Sequence, residues 1–154
     1  MSTLLLNMDD IEIGKQQTTI RNITDEDVEA FGRLSGDFNP LHMNDEFASK
    51  SHFGRRVVHG MFTAAIISAT HTDLTGPGFV YVGQELNFKA PVYIGDTITV
   101  TVTVTGKKED KRILILETMV SKQAGSVVLQ GNSALMELEG LKARRVVSQE
   151  TEHA

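Results

Sequence analysis

Asp37 and His42 stand close together in the run Phe31-Gly-Arg-Leu-Ser35-Gly36-Asp37-Phe38-Asn39-Pro40-Leu41-His42. A carboxylate and an imidazole converging on one water can add that water across an activated alkene. One group accepts a proton as the water attacks, and a further transfer returns a proton to the neighbouring carbon. Gly36 and Pro40 force a tight turn, and Pro40 biases Asn39 away from helix. A turn that stiff can hold Asp37 and His42 at a set separation. The plainer reading is that Asp37 makes an Asx-turn and His42 lies on the surface. A second candidate is Gly60, at the start of an apolar stretch running from His59 to Asp73. The first backbone N–H groups of a helix are unpaired and its dipole favours negative charge, so this point could bind an oxyanion. Equally, Gly60 could only open a helix packed closely on a sheet.

The elements that must carry these residues differ between the two halves of the chain. Thr24-Asp25-Glu26-Asp27 is a capping-box-like helix start, with Val28, Phe31 and Leu34 following at three-residue spacing. The first half reads as helical. The stretch His59 to Asp73 has almost no polar face, so it must be buried on most sides, and it is about 22 Å long, enough to cross a sheet once. From Asp96 to Thr105 the order DTITVTVTVT alternates strictly, the signature of a strand with one face on a core. Ile113 to Val120 and Ser126 to Leu138 read as further strands. Gly78 to Lys89 precedes them and is stopped by Pro91, and Gly95-Asp96 makes the next corner. Four successive strands with short connections predict an antiparallel meander. An antiparallel sheet wrapped around one long buried helix is an α+β arrangement, the hot-dog fold.

The Gly-Asp-x-Asn-Pro-x-His core at Gly36 to His42, with Ala48 six residues on, resembles the signature of the MaoC-like, or (R)-specific enoyl-CoA hydratase, family. Val58-His59-Gly60-Met61 and Leu86-Asn-Phe-Lys-Ala-Pro91-Val-Tyr-Ile-Gly95-Asp96 support it, and the likeness runs from about Ile13 to Leu138. The resemblance implies Asp37 and His42 as the catalytic pair and the Gly60 N–H as donor to a thioester oxygen. It also implies Asn39 and Ser68 near the substrate, and Arg55 near the coenzyme A phosphates. Ser68, eight residues after Gly60, is expected on the same helix face; a serine bonding its own helix backbone is the plain alternative. Arg56 occupies a place where the family often has proline, and both arginines could equally belong to a solvated loop. The implied reaction is reversible syn hydration of a trans-2-enoyl-CoA to the (R)-3-hydroxyacyl-CoA by a homodimer. No cofactor is implied beyond the coenzyme A of the substrate.

Three other readings share the fold: a 3-hydroxyacyl-[acyl-carrier-protein] dehydratase, an acyl-CoA thioesterase and a non-catalytic acyl-binding module. The first two families commonly place a carboxylate on or near the buried helix, and here that helix has none before Asp73. The intact Asp37/His42 pair argues against the third. Strand residues around Phe79 and Phe88, with the buried helix, are the expected acyl-pocket lining. His59 is expected to order the loop around the site, and His71, ending the buried helix, to suit the dipole as a cation. His52 and His153 read as surface residues. No ligand spacing typical of a metal site appears, so no metal is expected.

Composition narrows the classes. The 154 residues predict a single domain, with residues 142–154 as a frayed tail. A net charge of −5 argues against nucleic acid as a partner. The cluster Lys107-Lys108 with Lys111-Arg112 reads as a solvated hairpin tip. Cysteine is absent, which excludes disulfides, thiolate metal sites and cysteine nucleophiles. Met1 to Asp10 does not read as a signal peptide, no apolar run is long enough to span a membrane, and a cytoplasmic protein is expected.

Overall fold

A computed structural model describes residues 5–141; the expected frayed tail, residues 142–154, and His153 lie outside the described residues. Five antiparallel strands form one sheet: β1 (Gln16–Asn22), β2 (Phe79–Phe88), β3 (Thr97–Lys108), β4 (Ile113–Lys122) and β5 (Val127–Glu137). Four α-helices among the described residues accompany it: α1 (Asp25–Ser35), α2 (Pro40–Met43), α3 (Asp45–Ser49) and α4 (Gly60–Thr75). Helix α4 packs across β1, β2 and β3. The alternation in β3 puts Ile98, Val100, Val102 and Val104 into the core, where they meet Ile67 and Leu74 of α4. This is the hot-dog arrangement. No described helix is long and apolar enough to cross a membrane.

The order across the sheet is β1-β3-β4-β5-β2, which corrects two expectations. The meander holds only for β3, β4 and β5, because β2 pairs with β5 and is separated from β3 by two strands. After Phe88 the N–H groups of Lys89 and Ala90 still reach the Val128 carbonyl, but Pro91 has no N–H and the chain leaves the ladder. Segment 89–96 then passes the two intervening strands to begin β3. The first half is also not wholly helical, since β1 pairs with β3 from Gln16↔Thr103 to Asn22↔Thr97. Its one large apolar residue, Ile20, is exposed, so the strand lacks the apolar alternation that marks the others.

Helix α1 is capped as its sequence predicts. The Thr24 hydroxyl accepts from Asp27 N at 3.1 Å, and the Asp27 carboxylate accepts from Thr24 N at 3.0 Å. Its buried stripe is Val28 and Gly32, four apart; Leu34 falls off that stripe and is 88% exposed. Helix α4 is less enclosed than expected. Thr63, Ala64, Ile66, Ile67, Thr70 and Leu74 are buried, but Met61, Ala65, Ser68 and Ala69 form an open stripe. A helix lying on one face of a sheet has an outer side that only another body can cover.

The β3–β4 tip is pinned, not freely solvated. Lys107 donates to the Met8 carbonyl at 2.8 Å and Arg112 pairs with Glu137 at 2.9 Å, which fastens the buried Met8 segment over the core.

Candidate active site

Helix α1 ends at Gly36, whose left-handed φ of 80° turns the chain back toward the sheet. The next residues are held by a ladder of side-chain-to-main-chain bonds. Ser35 Oγ accepts from Asp37 N at 3.1 Å, Asp37 Oδ1 from Asn39 N at 3.2 Å, and Asn39 Oδ1 from Leu41 N at 3.0 Å. The Asx-turn read as the plain alternative for Asp37 is therefore present, and it is what fixes the residue. Asn39 caps α2 and so shapes the turn; it does not line the cavity.

His42 projects from α2, and its Nδ1 lies 2.6 Å from the Val57 carbonyl. A carbonyl only accepts, so Nδ1 carries a proton, and in the neutral ring Nε2 keeps the lone pair. By the same logic His59, 2% exposed, donates from Nε2 to the Asp37 carbonyl at 3.0 Å. Its Nδ1 is buried without a partner among the described residues. The two imidazole rings lie 4.2 Å apart, and Asp37, His42 and His59 each offer an atom within 4.8 Å of the others.

These groups open on a cavity of about 530 Å³. Its walls are mainly apolar, with Phe53, Phe88, Val92, Val128 and Leu129 facing Asp37, His42 and Gly60. Phe88 takes its expected place. Phe79, at the other end of β2, instead packs against the core. Gly60 is the first residue of α4, which has no side-chain cap, and its N–H has no acceptor among the described residues. A Cβ at Gly60 would stand 2.7 Å from Cε1 of the exposed Phe88 ring, which would have to shift to admit it. The close packing expected of this helix start is present. The buried Thr63 hydroxyl, one turn on, lines the same cavity and has no partner among the described residues.

A family model described as MaoC like domain matches residues 10–125. The chain belongs to the MaoC-like family. An (R)-specific enoyl-CoA hydratase of Rhodospirillum rubrum is 42% identical to it over 134 residues, covering 86% of this chain and 92% of that protein. A mitochondrial 3-hydroxyacyl-[acyl-carrier-protein] dehydratase of Arabidopsis thaliana is 39% identical over 70% of this chain and 64% of its own length. The solved (R)-hydratase of Aeromonas caviae superposes with a TM-score of 0.80 at 38% identity, covering 83% of this chain and 98% of that one.

Not every residue of the MaoC-like pattern reaches the cavity. Ser68 is exposed on the open stripe of α4 and does not line it. Eight residues advance a helix by about 80° beyond two full turns, so Ser68 does not share Gly60's face as expected. Arg55 is exposed, with its guanidinium 4.0 Å over the Tyr93 ring, outside the cavity wall. Tyr93 in turn donates to the carbonyl of Phe53, which does line the cavity. His52 is exposed, as expected.

Two sequence readings fail. His71 is no terminal cation: it is buried against Tyr81, neither ring nitrogen has a partner among the described residues, and burial pushes its pKa down to about 4. Arg56 is no solvated loop residue, being 7% exposed and surrounded by the carboxylates of Asp25, Glu29 and Asp45. The only hint in the sequence was the i,i+4 pair Asp25 and Glu29 on one face of α1, with nothing to say which cation they meet. His59 behaves as its place before a helix start implied, by ordering the turn.

Proposed function

We propose that this protein is an (R)-specific enoyl-CoA hydratase in which Asp37 and His42 are the catalytic pair. The observation that carries this reading is the shared opening of the Asp37 carboxylate, the His42 lone pair and the unpaired Gly60 N–H onto one mainly apolar cavity. The thioester oxygen meets the Gly60 N–H, which polarises the enoyl group. A water held by Asp37 and His42 attacks the β-carbon, and His42 Nε2 accepts its proton as the new C–O bond forms. The alkene electrons move to the α-carbon and the thioester oxygen. The proton taken by His42 passes to the α-carbon from the same side, which completes syn addition and restores the neutral imidazole. Asn39 contributes by holding the turn, and Arg55 by attracting the coenzyme A phosphates at the cavity rim.

The reaction so described needs no cofactor beyond the coenzyme A of the substrate. Asp37, His42 and His59 form a donor set able to meet an ion, so activity should be measured before and after dialysis against a chelator. Unchanged turnover is expected; loss restored by a divalent metal would overturn the metal-free scheme.

The likeness to a mitochondrial carrier-protein dehydratase supports a second reading, the same chemistry on a protein-bound thioester. Against it stands the lack of any carboxylate on α4 before Asp73. Mixing the protein with crotonyl-CoA separates the readings. Loss of the conjugated enoyl absorbance without free thiol is expected. Thiol release would mean a thioesterase, and turnover only on an acyl-carrier protein would mean the dehydratase.

The working form we propose is a homodimer in the cytoplasm. The apolar stripe Met61, Ala65 and Ala69, and Val80 and Val82 on the edge strand β2, support a second copy as partner. The absence of cysteine from the sequence suits a reducing compartment.

A further inference from the structure

Among the described arginines only Arg56 is buried. A guanidinium cannot shed its charge, so its burial requires compensating partners. Asp25 Oδ1 stands 2.9 Å from Nη1, Glu29 Oε1 3.3 Å from Nη2, and Asp45 Oδ1 3.8 Å from Nη1. The remaining donor does something different: Nε donates to the main-chain carbonyl of His42 at 2.6 Å. That carbonyl sits near the end of a one-turn helix, where it has no intrahelical partner. The next residue grips the same place. The Val57 carbonyl accepts from the His42 ring at 2.6 Å, and the Val57 N–H donates to the Leu41 carbonyl at 3.2 Å.

We propose that Arg56 is a positioning residue for the hydration chemistry, setting the separation of Asp37 and His42 through one guanidinium. Its Nε holds the main chain of His42, while its Nη atoms hold Asp25 and Glu29 of α1, the helix that leads into the Asp37 turn. Residues 56 and 57 thus fix His42 by its carbonyl and by its ring. Lysine cannot replace this arrangement, because an ammonium is a single point of charge and lacks the planar fork that reaches several acceptors at once. Misplacing a catalytic group by about 1 Å costs on the order of 10²-fold in rate. The cost should therefore fall on turnover more than on substrate binding.

The inference rests on the hydratase reading for its kinetics, so it is tested with a second readout that needs no activity. Arg56→Lys should lower kcat on crotonyl-CoA by about 10- to 100-fold, with KM changed by less than about threefold. Introduced into His42→Ala, the same substitution should leave the residual rate unchanged, because Arg56 acts through His42. Independently, nitrogen NMR should find the Nδ1–H tautomer of His42 in the parent protein and a mixture of tautomers in Arg56→Lys. Glu29→Gln, which alters an outlying partner and leaves Arg56 in place, should move both readouts the same way by less. It carries the test if Arg56→Lys does not fold. Unchanged kcat, an equal loss in the His42→Ala background, or an unaltered His42 tautomer would each overturn the proposal. A parent protein without hydration activity would defeat the proposed function and leave the NMR result to decide on Arg56.

Discussion

His59 donates from Nε2 to the main-chain carbonyl of Asp37 across 3.0 Å, joining the first turn of α4 to the turn that carries the carboxylate. The helix start that offers the Gly60 N–H and the segment that offers Asp37 are therefore tied directly together. Preorganisation of this kind lets an oxyanion donor act at no reorganisation cost.

Asp37→Asn and His42→Ala should each lower turnover by on the order of 10²-fold or more, with the melting temperature nearly unchanged. Asp37 is exposed and His42 only half-buried, so neither change opens the core. If both groups hold one water, the two losses should combine less than multiplicatively. Steady-state kinetics on the two single variants and the double variant would check this; a variant with full activity would remove its residue from the mechanism.

Gly60→Ala keeps the N–H but sets a methyl in the path of a thioester approaching it, so it should cost on the order of 10²-fold in kcat. The added methyl meets Phe88, so relief of that clash provides the control. Combining it with Phe88→Leu should restore stability but not turnover. Recovery of both would reduce Gly60 to a packing role.

Arg55 lies over Tyr93, which follows the cavity residue Val92 and bonds the carbonyl of Phe53, but Arg55 is not itself in the cavity wall. Arg55→Ala should therefore raise KM for the coenzyme A thioester more than it lowers kcat. With a pantetheine thioester, which lacks the nucleotide phosphates, the effect should shrink. Equal losses on both substrates would assign Arg55 to loop structure.

His71 should make the protein acid-sensitive. Its folded pKa is lowered by burial from 6.5 to about 4, so between those values the unfolded chain binds more protons than the folded one. Its contribution is complete above the unfolded pKa and is lost as pH falls toward about 4; a difference of this size corresponds to about 3 kcal/mol. His71→Phe keeps a ring against Tyr81 and leaves no nitrogen to protonate. Urea midpoints at about pH 7.5 and about pH 4.5 should differ less in the variant than in the parent. Equal differences would place the acid sensitivity elsewhere.

The legible parts of this molecule were those with a local cause. Ile98 to Val104 alternate because one strand face meets the core, and Thr24 with Asp27 caps α1 by contacts three residues apart. The segment from Gly36 to His42 could be read because its turn residues fix their own conformation. What escaped depended on partners distant in sequence. The exposed Ile20 gave β1 no apolar pattern, and the pairing of β2 with β5 was hidden behind the Pro91 crossing. Arg56 looked like any loop arginine until Asp25, Glu29 and the His42 carbonyl were folded around it. Ser68 misled because residue spacing alone put it on Gly60's face, whereas the helix carries it round to the open side of α4.

The hand of the product tests the central claim most directly. Asp37 and His42 lie on one hydrogen-bonded turn, so a water held by both would reach the β-carbon from a single face. Crotonyl-CoA should be incubated with the protein and the product offered separately to an (R)-specific and an (S)-specific 3-hydroxyacyl-CoA dehydrogenase. Oxidation by the (R)-specific enzyme alone is the predicted result. Oxidation by the (S)-specific enzyme would mean that the water attacks the opposite face, and the placement of Asp37 and His42 in the mechanism would be contradicted.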